Sequence, residues 1–218
     1  MAEASMLKRA AARLLGMSVA GFARAMTGVL PDWRGCLPET RQRVYVANHT
    51  SHGDFVLIWT VLPHAIRRGT RPVAALDYWG DSGLRGFIGR EVFNAVLVDR
   101  RAGQSGEDPI VAVVAAANSG ASLIFFPEGT RNTTDQVLLP FKSGLFRLAQ
   151  AQPRLEFVPV WIDNVARVMP KGEFLPVPLL CSVTFGAPIL LGPDEDKAAF
   201  LARVREALLA LRPTERER

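Results

Sequence analysis

The stretch Arg43-Val44-Tyr45-Val46-Ala47-Asn48-His49-Thr50-Ser51-His52-Gly53-Asp54-Phe55-Val56-Leu57-Ile58 decides the fold class. Its opening, Arg-Val-Tyr-Val-Ala, is rich in β-branched and aromatic residues and reads as a short strand. Residues 48–53 form a polar turn. Residues 54–62 read as a helix, with Ser51 and Asp54 at capping-box spacing and Pro63 as its stop. Strand, turn and helix in this order are the unit of an α/β sheet protein, where ligand sites sit at the hand-over from strand to helix.

The same alternation extends outward. Residues 72–76 and 94–98 read as strands, separated by a glycine-rich loop with a short helix. Residues 110–127 carry no charge over 18 positions, which on length alone suggests a membrane span. Asp108-Pro109 ahead of them is an N-cap followed by a first-position proline, and Ser119-Gly120 interrupts them. They therefore read as a short helix, 110–118, and a buried strand, 122–126. Residues 144–151 read as a helix and 155–161 and 179–185 as strands. A last helix opens at Asp194 with Phe200, Val204, Leu208 and Leu211 on its core face. Residues 101–107, 127–141 and 164–178 read as loops. The expected fold is α/β, a single domain with one main mixed sheet flanked by helices.

Composition sets the frame. The chain has 218 residues, 49% of them hydrophobic, which excludes intrinsic disorder and fits one domain. Fifteen prolines argue against a long bundle or coiled coil. The net charge is +5, and seven basic against three acidic residues lie before position 44, so the excess belongs to the N-terminal segment. Residues 7–30 contain no proline and read as a helix. At about 100° per residue, Leu7, Ala11, Leu14, Leu15, Phe22, Met26 and Val29 share one broad face, with Arg9, Arg13 and Arg24 on the other. This is the composition of an in-plane membrane anchor; the other reading is a helix that packs on the domain. Arg24 within the apolar stretch argues against a signal peptide. Cys36 and Cys181 give neither a disulfide framework nor metal-ligand spacing, and a reduced compartment is expected. Nucleic acid is not an expected partner, because no aromatic residues interleave with the basic ones. Gly-x-Ser-x-Gly and Walker A spacings are absent. No metal centre is expected, since His49 and His52 lack convergent partners.

Three constellations carry chemistry. In the first, a turn can bring Asp54 back against His49, so that the carboxylate holds one ring nitrogen and the other acts as a base. The second is Phe126-Pro127-Glu128-Gly129-Thr130-Arg131. There Gly129 admits close backbone approach, Arg131 can fork onto phosphate oxygens, and Glu128 can hold an arginine or a loop amide. The third is Val98-Asp99-Arg100 at a strand end, where Arg100 is a second cation for phosphate. His52 and His64 read as structural or surface residues.

Asn-His-x4-Asp, a strand ending Asp-Arg, and Phe-Pro-Glu-Gly-Thr-Arg, in that order, resemble the glycerolipid acyltransferases typified by bacterial lysophosphatidate acyltransferase. Phe141-Lys142-Ser143-Gly144, Val158-Pro159-Val160 and Phe185-Gly186-Ala187-Pro188 extend the resemblance over most of the chain. The resemblance implies His49 as general base and Asp54 as its orienting partner. It implies Arg100 and Arg131 on the acceptor phosphate, with Glu128, Gly129 and Thr130 shaping that pocket. The implied reaction is direct transfer of a fatty acyl group from acyl carrier protein or coenzyme A, as co-substrate and without a cofactor, to 1-acyl-glycerol-3-phosphate, giving phosphatidate. The implied place is the cytoplasmic face of the cell membrane, with the N-terminal helix on its surface. One departure stands out: many members carry a basic residue between the first two blocks, where this chain has Ala74-Ala75-Leu76-Asp77. Another lysophospholipid or an amino-acid lipid therefore stays open as acceptor, as does a non-catalytic lipid-binding module. The expected segments are an interfacial helical region at 1–40, an acyltransferase domain at 41–212 and a frayed tail at 213–218. The expected geometry places His49 and Asp54 in hydrogen-bond reach, with Arg100 and Arg131 around one nearby cavity.

Overall fold

A computed structural model describes residues 2–80, 83–99, 108–163 and 181–214. Seven strands form one mixed sheet: β1 Leu30–Trp33, β2 Arg43–Ala47, β3 Thr70–Ala75, β4 Val96–Val98, β5 Ser122–Phe125, β6 Glu156–Asp163 and β7 Ser182–Phe185. Their order is β1-β7-β6-β2-β5-β3-β4. Neighbours run parallel except β6 and β7. The helices are α1 Ala2–Thr27, α2 Asp54–Val61, α3 His64–Arg67, α4 Leu76–Trp79, α5 Leu84–Phe87, α6 Ile110–Asn118, α7 Gly144–Ala151 and α8 Lys197–Leu209, with a π-turn at Ile88–Val92 after α5.

β2 explains the layering. All five of its residues are buried, as a central parallel strand covered on both faces requires. Its side chains alternate. Tyr45 and Ala47 join the core that holds Phe55 and Ile58 of α2. Val44 and Val46 join the opposite core, with Val113 of α6, Leu148 of α7 and Phe200 of α8. The molecule is thus a helix–sheet–helix sandwich with a core on each face of the sheet.

The sheet register positions the site. Val46 of β2 pairs with Phe125 of β5, and Ala75 of β3 pairs with Val98 of β4. These four parallel strands therefore end at one edge, and the loops leaving them converge there.

Several expectations change. The helix at residues 144–151 falls where its pattern places it, as do the strands 122–126 and 94–98 with small shifts at their ends. The last helix is capped by Asp196, whose side chain accepts from the Ala199 amide at 2.8 Å, rather than opening at Asp194. Ser51 does not cap α2: its hydroxyl accepts from Gly53, while Asp54 reaches back to the turn. β1 lies inside the segment assigned to the interfacial helix, yet it pairs with β7 in the sheet, so residue 40 is not a boundary of the fold. Leu30-Pro31-Asp32-Trp33 gives little sign of a strand, and the proline is tolerated because β1 is an edge.

α1 packs on the domain, but not through its large apolar residues. A stripe of small residues, Ala12, Gly16, Ala20 and Ala23, is buried against the domain. A Cβ at Gly16 would lie 3.2 Å from Val92 and 3.4 Å from Trp59. The large apolar residues Leu14, Met17 and Phe22 instead point outward, 63%, 68% and 63% exposed. Among the described residues no helix is long and apolar enough to cross a membrane.

Candidate active site

The turn after β2 is held from three sides. Asn48 continues the β2–β6 pairing with its side chain: the amide nitrogen donates to the Ile162 carbonyl at 3.0 Å and the amide oxygen accepts from the Ile162 N–H at 2.8 Å. The backbone is then free to turn without orphaning buried polar groups. His49 donates its N–H to Glu128 Oε1 at 2.9 Å, and its carbonyl accepts from the Asn132 N–H at 2.6 Å.

Asp54, at the first turn of α2, is fully buried. Its Oδ2 accepts from the amides of Thr50 and Ser51 at 2.7 and 2.9 Å and lies 2.8 Å from His49 Nδ1. With Nδ1–H donating to the carboxylate, the His49 Nε2 lone pair is the free basic site. Phe126 stacks on the imidazole, with ring centroids 4.1 Å apart and planes within 19°. The ring is therefore held by a hydrogen bond in its plane and an aromatic face across it.

Glu128 supports this arrangement from behind. It is 2% exposed, and its second oxygen accepts from the Leu139 amide at 2.8 Å. Both oxygens thus tie loop amides, joining the His49 turn to residues 138–140. Burial pushes its carboxyl above the ordinary carboxylate range, against the pull of the two amides. Gly129 has φ +67°, a left-handed conformation that glycine adopts without penalty.

A cavity of about 630 Å³ opens in front of His49. Gly129, Thr130, Arg131 and Lys142 line it on the side of the β5 loop, and Val73, Val98 and Val113 provide apolar wall. The structure brings His49, Asp54 and Arg131 together as the sequence leads one to expect. Arg100 lies outside the described residues. His52, expected as a surface or structural residue, lines the same cavity. Its ring stacks on Tyr78 at 4.3 Å, and the Arg85 guanidinium sits over Tyr78 at 4.5 Å. Burial, and then the charge of Arg131, holds His52 below the usual histidine value. Among the described residues no cluster of His, Cys, Asp and Glu gathers to hold a metal.

Comparison with known proteins gives the family of the chain. The acyltransferase family model matches residues 34–163, more than half of the chain. The chain belongs to the acyltransferase family. Its curated relatives include 1-acyl-sn-glycerol-3-phosphate acyltransferases from Limnanthes alba, 30% identical over 181 residues, and from Cocos nucifera, 30% identical over 148. These alignments cover 81% and 67% of this chain but 60% and 45% of the relatives. The enzyme of the same name from Salmonella typhimurium is 30% identical over 125 residues, 56% of this chain and 47% of that one. The chain thus spans about half the length of the curated relatives it matches. The crystal structure of the 1-acyl-sn-glycerophosphate acyltransferase from Thermotoga maritima shares the fold, with a TM-score of 0.67 over 94% of this chain and 83% of that one, at 20% identity.

Proposed function

We propose that this acyltransferase moves a fatty acyl group from an acyl thioester to the free hydroxyl of 1-acyl-glycerol-3-phosphate, giving phosphatidate. The observation that carries the reading is His49, held by the buried Asp54 and facing a cavity that also holds the Arg131 cation. The names of the curated relatives support the same acceptor.

His49 Nε2 takes the proton of the acceptor hydroxyl as its oxygen attacks the thioester carbonyl. The buried Asp54 carboxylate stabilises the imidazolium that forms. The tetrahedral intermediate collapses, the C–S bond breaks, and the imidazolium returns its proton to the departing sulfur. Ester and free thiol are the products, and no acyl-enzyme intervenes. Arg131 and the loop from Glu128 to Thr130 orient the acceptor by its phosphate. The donor is acyl carrier protein or coenzyme A, acting as co-substrate.

The place of action is the cytoplasmic face of the cell membrane, with peripheral attachment. The outward Leu14, Met17 and Phe22 of α1, beside the exposed Arg13 and Arg24, give the apolar and cationic surface that anionic lipid attracts. An activity panel tests the whole reading. Purified protein is offered 1-acyl-glycerol-3-phosphate, other lysophospholipids and a phosphate-free amino-acid lipid, each with both donors. The reading requires fastest turnover on 1-acyl-glycerol-3-phosphate. Preference for the phosphate-free lipid would overturn the acceptor, and vesicle binding without turnover on any pair would leave only a lipid-binding module.

A further inference from the structure

We infer that Lys142 supplies a second cation for the acceptor phosphate, beside Arg131, and so sets the preference for a doubly charged phosphate monoester. The inference rests on the proposed acyl transfer and adds a residue to it. Lys142 precedes α7, eleven residues after Arg131, and the fold lays it back across the start of that loop. Its amide donates to the Pro127 carbonyl at 2.8 Å, which fixes its backbone beside the end of β5. Its side chain then runs over Gly129. A Cβ there would lie 2.7 Å from Lys142 Cδ and 2.9 Å from both Cε and Nζ. The glycine at 129 therefore also leaves room for the lysine stem. The ammonium lies beside Gly129, itself two residues before Arg131, and Lys142 and Arg131 line the same cavity.

Charge pairing separates Lys142 and Arg131 from Arg147, the other Lys or Arg side chain that lines the cavity. Arg147, in the same cavity, is engaged by both carboxylate oxygens of Asp108. Arg41 and Arg43 pair with Glu156, and Arg203 with Glu195. Among the described residues, neither Lys142 nor Arg131 makes an ion pair or donates a side-chain hydrogen bond to an acceptor. Arg131, Lys142 and Arg147 against Asp77 and Asp108 leave the cavity lining with an excess of positive charge, which suits an anionic ligand. A phosphate monoester carries close to two charges at neutral pH and offers three oxygens, enough for a forked guanidinium and an ammonium together. A phosphodiester carries one charge and gains less from the second cation.

The test compares wild type, Lys142→Gln and Lys142→Arg on 1-acyl-glycerol-3-phosphate and on the diester 1-acyl-glycerophosphoglycerol. Palmitoyl thioesters of coenzyme A and acyl carrier protein serve as donors. Lys142→Gln should raise KM for the monoester about tenfold and for the diester about two- to threefold, with kcat within about twofold. Lys142→Arg should stay within about threefold of wild type on both. The monoester KM of wild type should also fall as pH rises through about 6, where the second phosphate proton leaves, and Lys142→Gln should flatten that dependence. Lys142 is exposed, so thermal melts of the three proteins should coincide. An unchanged monoester KM, an equal rise on both acceptors, or a loss confined to kcat would overturn the assignment. Wild-type inactivity on both lipids would instead overturn the functional reading on which it rests.

Discussion

At the scale of single residues, the site depends on how Asp54 is held. Its carboxylate accepts two backbone amides as well as the His49 ring. Asp54→Asn turns an NH2 group toward donors and favours the wrong His49 tautomer. It should lower kcat by about 10²–10⁴ with little change in KM, measured by initial rates of acyl transfer. The cysteines should be bystanders. Burial pushes the Cys181 thiol up to about 11 and raises Cys36 as well, so little thiolate exists at neutral pH. Iodoacetamide at pH 7 should leave activity unchanged in the native protein, as read by turnover before and after treatment. The His49–Asp54 pair was legible because its five-residue spacing spans one turn and the start of one helix. Lys142 and His52 were not legible as cavity residues, because the side a loop residue faces depends on packing: Lys142 folds back over Gly129 and His52 stacks on Tyr78.

At the scale of elements, α1 carries two faces with different work. The small-residue stripe lets it pack closely on α2 and the π-turn, where Gly16 approaches Val92 and Trp59. Gly16→Leu should overpack that contact and lower stability by about 1–3 kcal/mol, seen as a lower Tm. Leu14→Glu with Phe22→Glu should leave Tm unchanged, because both side chains point to solvent. The same pair should sharply reduce co-sedimentation with vesicles containing phosphatidylglycerol. The helix itself was legible from its length and lack of proline. Its orientation was not, because periodicity alone does not reveal that the domain selects the small residues and leaves the large apolar ones outside. Strand β1 was hidden for a related reason: four residues with a proline become a strand only when β7 offers its edge.

At the scale of the whole molecule, the sheet brings four strand ends to one edge and places the His49 turn beside the Arg131 loop. The far end of β2 is fastened by Arg43, only 3% exposed, which bonds Glu156 of β6, Glu39 and the Leu37 carbonyl. Glu156→Ala would leave that guanidinium short of its main partner and should cost about 3 kcal/mol in denaturant unfolding. Burial pulls the Glu156 carboxyl up, but its bonds to Arg43 and Arg41 outweigh that and hold it below the ordinary value of 4.5. Its contribution is thus present above that pH and is lost as pH falls through the lower folded value. Acid unfolding of Glu156→Gln should therefore show a shallower loss of stability below about pH 4.5 than wild type. The overall α/β class was legible because β2 and β5 are continuous apolar runs joined to turns and helices. The antiparallel β6–β7 pairing and the placement of β1 were not, since strand order follows long-range packing rather than local pattern.

The role proposed for His49 is that of the base in acyl transfer to a phosphate-bearing lipid. It is tested most directly by the initial rate of phosphatidate formation from an acyl thioester and 1-acyl-glycerol-3-phosphate, for wild type and His49→Ala side by side. Wild type should turn over measurably, and His49→Ala should fall by about 10²–10⁴ or more with an unchanged melting curve. A folded His49→Ala protein that forms phosphatidate at the wild-type rate would contradict it.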